Sequence, residues 1–481
     1  MESALNQSEK EIDKQRGNSL KWFANWRFIT TSIIVIIALI FAAISYYQAN
    51  HFNANVKING IKVSGLTADQ ALKQLKTSEL KNVVYVGHQQ ILDGKDTKMG
   101  FTDKDLPGVK KLLRDQRTFF PSSTAKNYSL IPSKLDQYRS QVMKKQVEEK
   151  LLAMNKSLIA PKDAAAILEQ GKIIVTKSIN GKQYDVASLL KDYKKHEYTS
   201  EIRLNPVFIM PIKEDSPIVQ NEEKKLQELL QQTVEYKVQD KVYSLKGSEL
   251  IKDASVSKDM KVSIDPSDIN KKIAEINSSQ STLDKNFTFR THSGSVKTVK
   301  GQGYGWALDV DKETAQIQAV FEKGEKSISA SNIIGHGWSN EGYGYETTTN
   351  NGIGDTYAEV SIAEQRIWLY KNGKSVVTTN VVTGKNSTGE DTSKGVWYIL
   401  FKRTPSTLKG SHVGSGSYEV KVDYWAPFTN SGQGFHDASW RSNWSSNAYL
   451  NAGSGGCVNT QSSIMKTVYN NLSTYEPVVI Y

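Results

Sequence analysis

Cysteine occurs once in the 481 residues, at Cys457, within the run Ser454-Gly455-Gly456-Cys457-Val458-Asn459. A lone thiol forms no internal disulfide, and in an exported chain it invites oxidation unless it has a use. By itself it reads equally as a small buried hydrophobe. The neighbouring residues point to chemistry. Thiolate catalysis needs an accessible sulfur, a base and amide donors for an oxyanion. Gly455 and Gly456 carry no side chains, so backbone N–H groups can approach a reacting carbonyl. His412 and His436 lie in the same C-terminal region, and either could take the thiol proton. A neighbouring imidazole can lower a thiol pKa from about 8.5 to as low as about 3.5. One cysteine and scattered histidines make no zinc site, so no metal is expected. The glycines of GQGYGW (301–306) lack the βαβ setting and the Lys-Ser/Thr of a phosphate loop, and no cofactor is expected.

The elements that must position these residues are short strands. TYAEVSIAEQRIWLYKNGKSVVTTNVVTG (356–384) reads as two or three strands with a hairpin turn at Asn372-Gly373. GVWYILFKR, YEVKVDYWAPF and EPVVIY continue the β-character, and one helix is expected over 462–472. Residues 355–481 thus form a mostly-β domain large enough for its own core. SNEGYGYETTTNNGIG (339–354) reads as a linker into it.

Upstream lies a repeat. GKIIVTKSINGKQYDVASLLKDYKK (171–195) and SGSVKTVKGQGYGWALDVDKETAQIQAVFEKGEK (293–326) both run strand, Gly-containing turn, Asp-Val, amphipathic helix. Two α+β units of similar plan are expected, over 55–215 and 216–345. VKINGIKVSGLTADQALKQLK (56–76) opens the first, with Thr67 as helix N-cap. Before them, residues 28–47 are twenty uncharged residues, about 30 Å as a helix, which matches a bilayer core. Five Lys/Arg precede this span and few follow it, which predicts a single-pass anchor. The tail 1–27 is expected in the cytoplasm and the rest outside, with Trp22, Trp26, Tyr46 and Tyr47 at the interfaces.

The C-terminal domain resembles the L,D-transpeptidase catalytic domain of the YkuD-like family. The resemblance rests on His436, a 21-residue step, and then Ser454, Gly456, Cys457, Val458 and Asn459. AEVSIAEQRIWLYKNGK, the Thr392-Ser393-Lys394-Gly395 turn and the aromatic stretch Tyr424, Trp425, Phe428 add to it. The family has His two residues before the Cys; this chain has Gly455, so the family's base maps to His436. INGIKVSGLT and GQGYGWALDVD resemble peptidoglycan-binding repeats of membrane-anchored wall enzymes. The resemblance implies acyl transfer between peptidoglycan stem peptides. Cys457 would attack the bond between stem residue three and D-Ala four, with Gly456 and Cys457 N–H groups holding the oxyanion. His436 would serve as base, oriented by Asp437 or a nearby carbonyl. Ser454, Gly455, Asn459, Tyr424 and Trp425 would contact substrate, and carbapenems would acylate Cys457.

Net charge is +11, of which +8 falls in the middle of the chain. That suits anionic wall polymers or a solvated basic surface. The expected topology places this region outside the cell and excludes nucleic acid as partner. Two other functions fit the same residues: an L,D-carboxypeptidase in which water opens the thioester, and a wall-binding scaffold without activity.

Overall fold

The structure is a computed structural model. It describes residues 2–481 except Phe119 and Ser415, with side chains from residue 26 onward. The chain opens with the helix Glu2–Asn50. Its segment Trp26–Asn50 has mean hydropathy 2.6 and is long and apolar enough to cross a membrane. Trp26, Tyr46 and Tyr47 are exposed; the Trp22 side chain lies outside the described set.

The chain divides into two compact units, 1–163 with 178–212, and 164–177 with 213–481. In the first, Thr67 caps the helix Ala68–Thr77 in a full capping box with Gln70, as its sequence predicts. Arg139, 1 % exposed, binds Asn82 Oδ1 and the carbonyls of Lys81, Glu197 and Thr199. With a further bond to the Ser200 carbonyl, the guanidinium makes five hydrogen bonds, four to backbone carbonyls and one to the Asn82 side chain, which explains how so polar a group is buried.

The repeat is real at its helices. Asp185 and Asp309, the Asp of each Asp-Val pair, accept from Ser188 N and Lys312 N and start the helices Val186–His196 and Val310–Lys323. Its strands fall differently. The hairpin Ala166–Glu169 and Lys172–Val175 pairs with Ala254–Val256 in a four-stranded sheet of the second unit. The sequence reading assigns these residues to the first repeat, because alternation identifies a strand without identifying its partner.

The second unit carries the C-terminal domain, an eight-stranded sheet. Its strands run Gly395–Tyr398, Pro477–Ile480, Tyr357–Ser361, Arg366–Lys371, Lys374–Val382, Val458–Thr460, Gly434–Asp437, Trp425–Pro427. The Asn372-Gly373 turn, with φ 49° and 75°, closes the hairpin between the fourth and fifth of these. The helix Ser462–Asn471 lays Met465 and Val468 on Val381, Phe435 and Val458. A separate hairpin, Ser406–His412 with Gly416–Val422, rests Leu408 and Val420 against Cys457.

Residues 339–354 are more than a spacer: Tyr343 stacks on Tyr475 and packs on Tyr398, and Tyr345 packs edge-on against Trp306. Nearby, the hairpin Asn286–Arg290 with Val296–Lys300 is tied to the eight-stranded sheet through Glu359. This fully buried carboxylate accepts from His292 N and Nδ1, both at 2.9 Å, and from the Tyr481 hydroxyl. Replacing Glu359 by Ala leaves these donors unpaired. Such groups cost about 1–3 kcal/mol each, so thermal unfolding of Glu359→Ala is expected well below that of Glu359→Gln, which keeps an acceptor.

Candidate active site

Strand pairing builds the site. Gly434–Asp437 runs parallel to Val458–Thr460, with Phe435 opposite Val458 and His436 opposite Asn459. Side chains alternate along a strand. Phe435 and Val458 therefore share the core face, while His436, Asn459 and Cys457 share the other. All three line one cavity of about 110 Å³ with Ser454, Gly455, His412, Tyr418, Trp440 and Arg441. Sequence reasoning names Cys457 and His436 as a pair, and the fold brings them to one cavity.

The turn before Cys457 is held internally. Gly456 has φ +110°, and a Cβ there would stand 2.6 Å from Gln433 Nε2, so only glycine fits. Ser454 Oγ accepts from Gly456 N at 3.1 Å and donates to the Cys457 carbonyl. Thr392 Oγ1 donates to the Gly456 carbonyl at 2.8 Å and accepts from Gly384 N at 2.9 Å. Ser454 is thus a brace of the turn, and the Gly456 amide expected to hold an oxyanion is committed to that brace. The thiol of Cys457 donates to the Gly432 carbonyl at 3.5 Å. Gly432 and Trp425 also line a groove of about 630 Å³ with Trp338, Tyr343, Tyr398 and Tyr475.

His436 is fixed through its neighbours' backbone. Nδ1–H donates to the Asp437 carbonyl at 2.7 Å, which leaves Nε2 with the lone pair. The Asp437 carboxylate turns elsewhere, accepting from Asp423 N and Tyr424 N. Of the two orienting groups expected from the sequence, the carbonyl is the one in contact. The Asn459 amide, oriented to satisfy both of its neighbours, donates to His436 Nε2 at 3.0 Å and accepts from Arg441 Nε and Nη2 at 3.1 Å. Trp425 and Trp440 rings lie 5.9 Å from the imidazole. Tyr424 packs instead on Tyr469, away from the lining residues. Arg441, Thr392 in its bracing role, Gln433, Tyr418 and Glu390 are not singled out by the sequence reading, since their contacts depend on long-range pairing.

Burial decides the protonation states. It pushes the Cys457 thiol up to about 11, opposed only by a backbone hydrogen bond from Gly434. It holds the His436 imidazole below its ordinary value, with Arg441 adding to this and Asp437 opposing it. The sequence-based expectation of a thiol lowered by imidazolium is therefore reversed: both groups rest neutral.

Residues 355–480 match the family model "L,D-transpeptidase catalytic domain". The C-terminal domain belongs to the L,D-transpeptidase catalytic-domain family. Residues 218–329 match the model "Putative peptidoglycan binding domain". A solved structure of an Enterococcus faecium L,D-transpeptidase, a Cys-to-Ser mutant, is 25% identical. It covers 54% of this chain and 99% of its own, with TM-score 0.44. The catalytic domain of an E. faecium L,D-transpeptidase, solved by NMR, is 37% identical; it covers 26% of this chain and 97% of its own, with TM-score 0.25. A comparison with curated proteins found no match.

The neutral resting pair makes a pH prediction. A thiol whose pKa is raised stays protonated through neutrality, so alkylation of Cys457 by an uncharged reagent should quicken about tenfold per pH unit from pH 7 towards 10. A plateau already reached near pH 7 would show a standing thiolate instead.

Proposed function

We propose that this L,D-transpeptidase domain cross-links peptidoglycan stems at the outer face of a membrane, anchored by the residue 28–47 segment. The observation that carries the reading is the shared cavity of Cys457 and His436 in a domain of this family. Peptidoglycan is the substrate implied by the two matched domains.

In this reading the Asn459 amide lets go of His436 Nε2, which takes the thiol proton as sulfur attacks the carbonyl of stem residue three. Because both groups start neutral, charge appears only as the C–S bond forms, inside a site that excludes most water. The carbonyl oxygen becomes an oxyanion beside the Cys457 turn. The Gly456 N–H must release Ser454 Oγ to reach it, or the Cys457 N–H must act alone. Collapse breaks the C–N bond, and His436 returns the proton to the departing D-Ala amine. A thioester remains on Cys457, and an amine of a neighbouring stem opens it to give a 3-3 cross-link. Asn459 and Arg441 keep the imidazole aimed, and Trp425 closes one side. The aromatic groove that shares Gly432 gives a stem or its sugars a surface to rest on. The anchor and basic middle region keep the domain against the wall, and carbapenems are expected to acylate the same sulfur.

Product analysis tests this. The full chain with a disaccharide-tetrapeptide should release D-Ala and form 3-3 dimers. His436→Ala should lose about 10²–10⁴-fold of the rate, the usual share of a general base, and Cys457→Ala all of it. Tripeptide without dimers would make the chain a carboxypeptidase, and no product at all would leave a scaffold.

A further inference from the structure

The cavity holds a second imidazole. His412, at the end of the strand Ser406–His412, packs over Gly455: a Cβ built on Gly455 would stand 3.1 Å from both Cε1 and Nδ1 of that ring. The ring therefore occupies the space that a side chain at 455 would need. It is also held firmly, although its Gly/Ser-rich surroundings suggest a loose loop. Its Nδ1 lies 3.1 Å from Glu390 Oε1, which also accepts from Val413 N at 3.0 Å. Thr388 Oγ1 donates to the other carboxylate oxygen. These bonds, the one from Thr388 foremost, hold the Glu390 carboxyl below the usual range, so it is ionised. Tyr418 stacks on the ring from the facing strand at 4.8 Å.

An ionised carboxylate only accepts hydrogen bonds. Nδ1 of His412 must therefore carry a proton, and in the neutral ring Nε2 presents its lone pair; no hydrogen bond among the described residues engages Nε2. The cavity thus has two imidazoles of the same tautomer. One is fixed on a backbone carbonyl and one on a carboxylate. Transpeptidation has two half-reactions, each needing a proton removed from a nucleophile: first the thiol, then the incoming amine.

Resting on the function proposed above, we infer that His412 is the base for the second half-reaction, accepting the proton of the acceptor amine. The amine nitrogen attacks the thioester carbonyl and its C–N bond forms. His412 Nε2 takes the N–H proton, with Glu390 stabilising the imidazolium. The C–S bond then breaks, its electron pair leaves on Cys457 Sγ, and the sulfur is reprotonated as His412 gives up its proton, directly or through solvent. No further reactant is required.

The test is a single-turnover experiment on the full chain in detergent with disaccharide-tetrapeptide as donor and acceptor. His412→Ala should release about one equivalent of D-Ala at close to the wild-type rate. It should then stall with the thioester visible by intact mass, its steady-state turnover down about 10²–10⁴-fold. His412→Gln, which keeps the packing but not the base, should stall in the same way. Hydroxylamine, already unprotonated at neutral pH, should discharge the stalled enzyme as fast as it discharges wild type. Wild-type turnover in both variants, or a D-Ala burst slowed with no thioester accumulating, overturns the assignment. If wild type itself releases no D-Ala, the functional reading fails first and this one with it.

Discussion

The site depends on one register: the parallel pairing that sets His436 opposite Asn459. Because side chains alternate, a slip of one residue would drive His436 into the core and lift Phe435 to the cavity. Phe435 and Val458, both fully buried, make that slip costly, since each contributes about 1.5–3 kcal/mol by burial. The core face thus fixes the chemistry on the opposite face. Flanking strands 374–382 and 425–427 close the pair on both sides, and the Thr392 and Ser454 hydroxyls hold the turn that delivers the sulfur.

Enclosure has a second consequence. The hairpin of 406–422 and Trp425 cover Cys457, and the resulting desolvation keeps thiol and imidazole uncharged. Such a site does not store a reactive thiolate exposed to oxidants. In the proposed mechanism a thiolate forms only as a carbonyl arrives and the proton has somewhere to go. For an unpaired cysteine in a domain acting on the wall, that is a protective arrangement, at the expense of a slower encounter with small electrophiles.

Much of this is legible in the sequence, for identifiable reasons. Cys457, His436, the Asn372-Gly373 turn, the Thr67 cap and the helix over 462–472 are local signals: a residue type, a spacing or a turn dipeptide. What escapes the sequence reading is set by pairing across long separations. The 166–175 hairpin has strand alternation but nothing that names residue 254 as its partner. The glycine- and asparagine-rich stretch 339–354 reads as a linker because its tyrosines find Trp306, Tyr398 and Tyr475 only in the fold. Asp437 is adjacent to His436 in sequence, yet alternation turns its carboxylate away and leaves its carbonyl in contact. His412, left beside His436 as an alternative base by its residue type alone, is anchored by Glu390 from 22 residues upstream.

The central claim is that acyl transfer passes through the sulfur of Cys457. Acid-quenching the chain during turnover of a disaccharide-tetrapeptide and mapping its peptides by mass spectrometry tests this directly. The account predicts one modified peptide, containing Cys457, heavier by the donor less its D-Ala and restored by mild base. Products forming while that peptide stays unmodified, or an acyl group mapped to another residue, would contradict it.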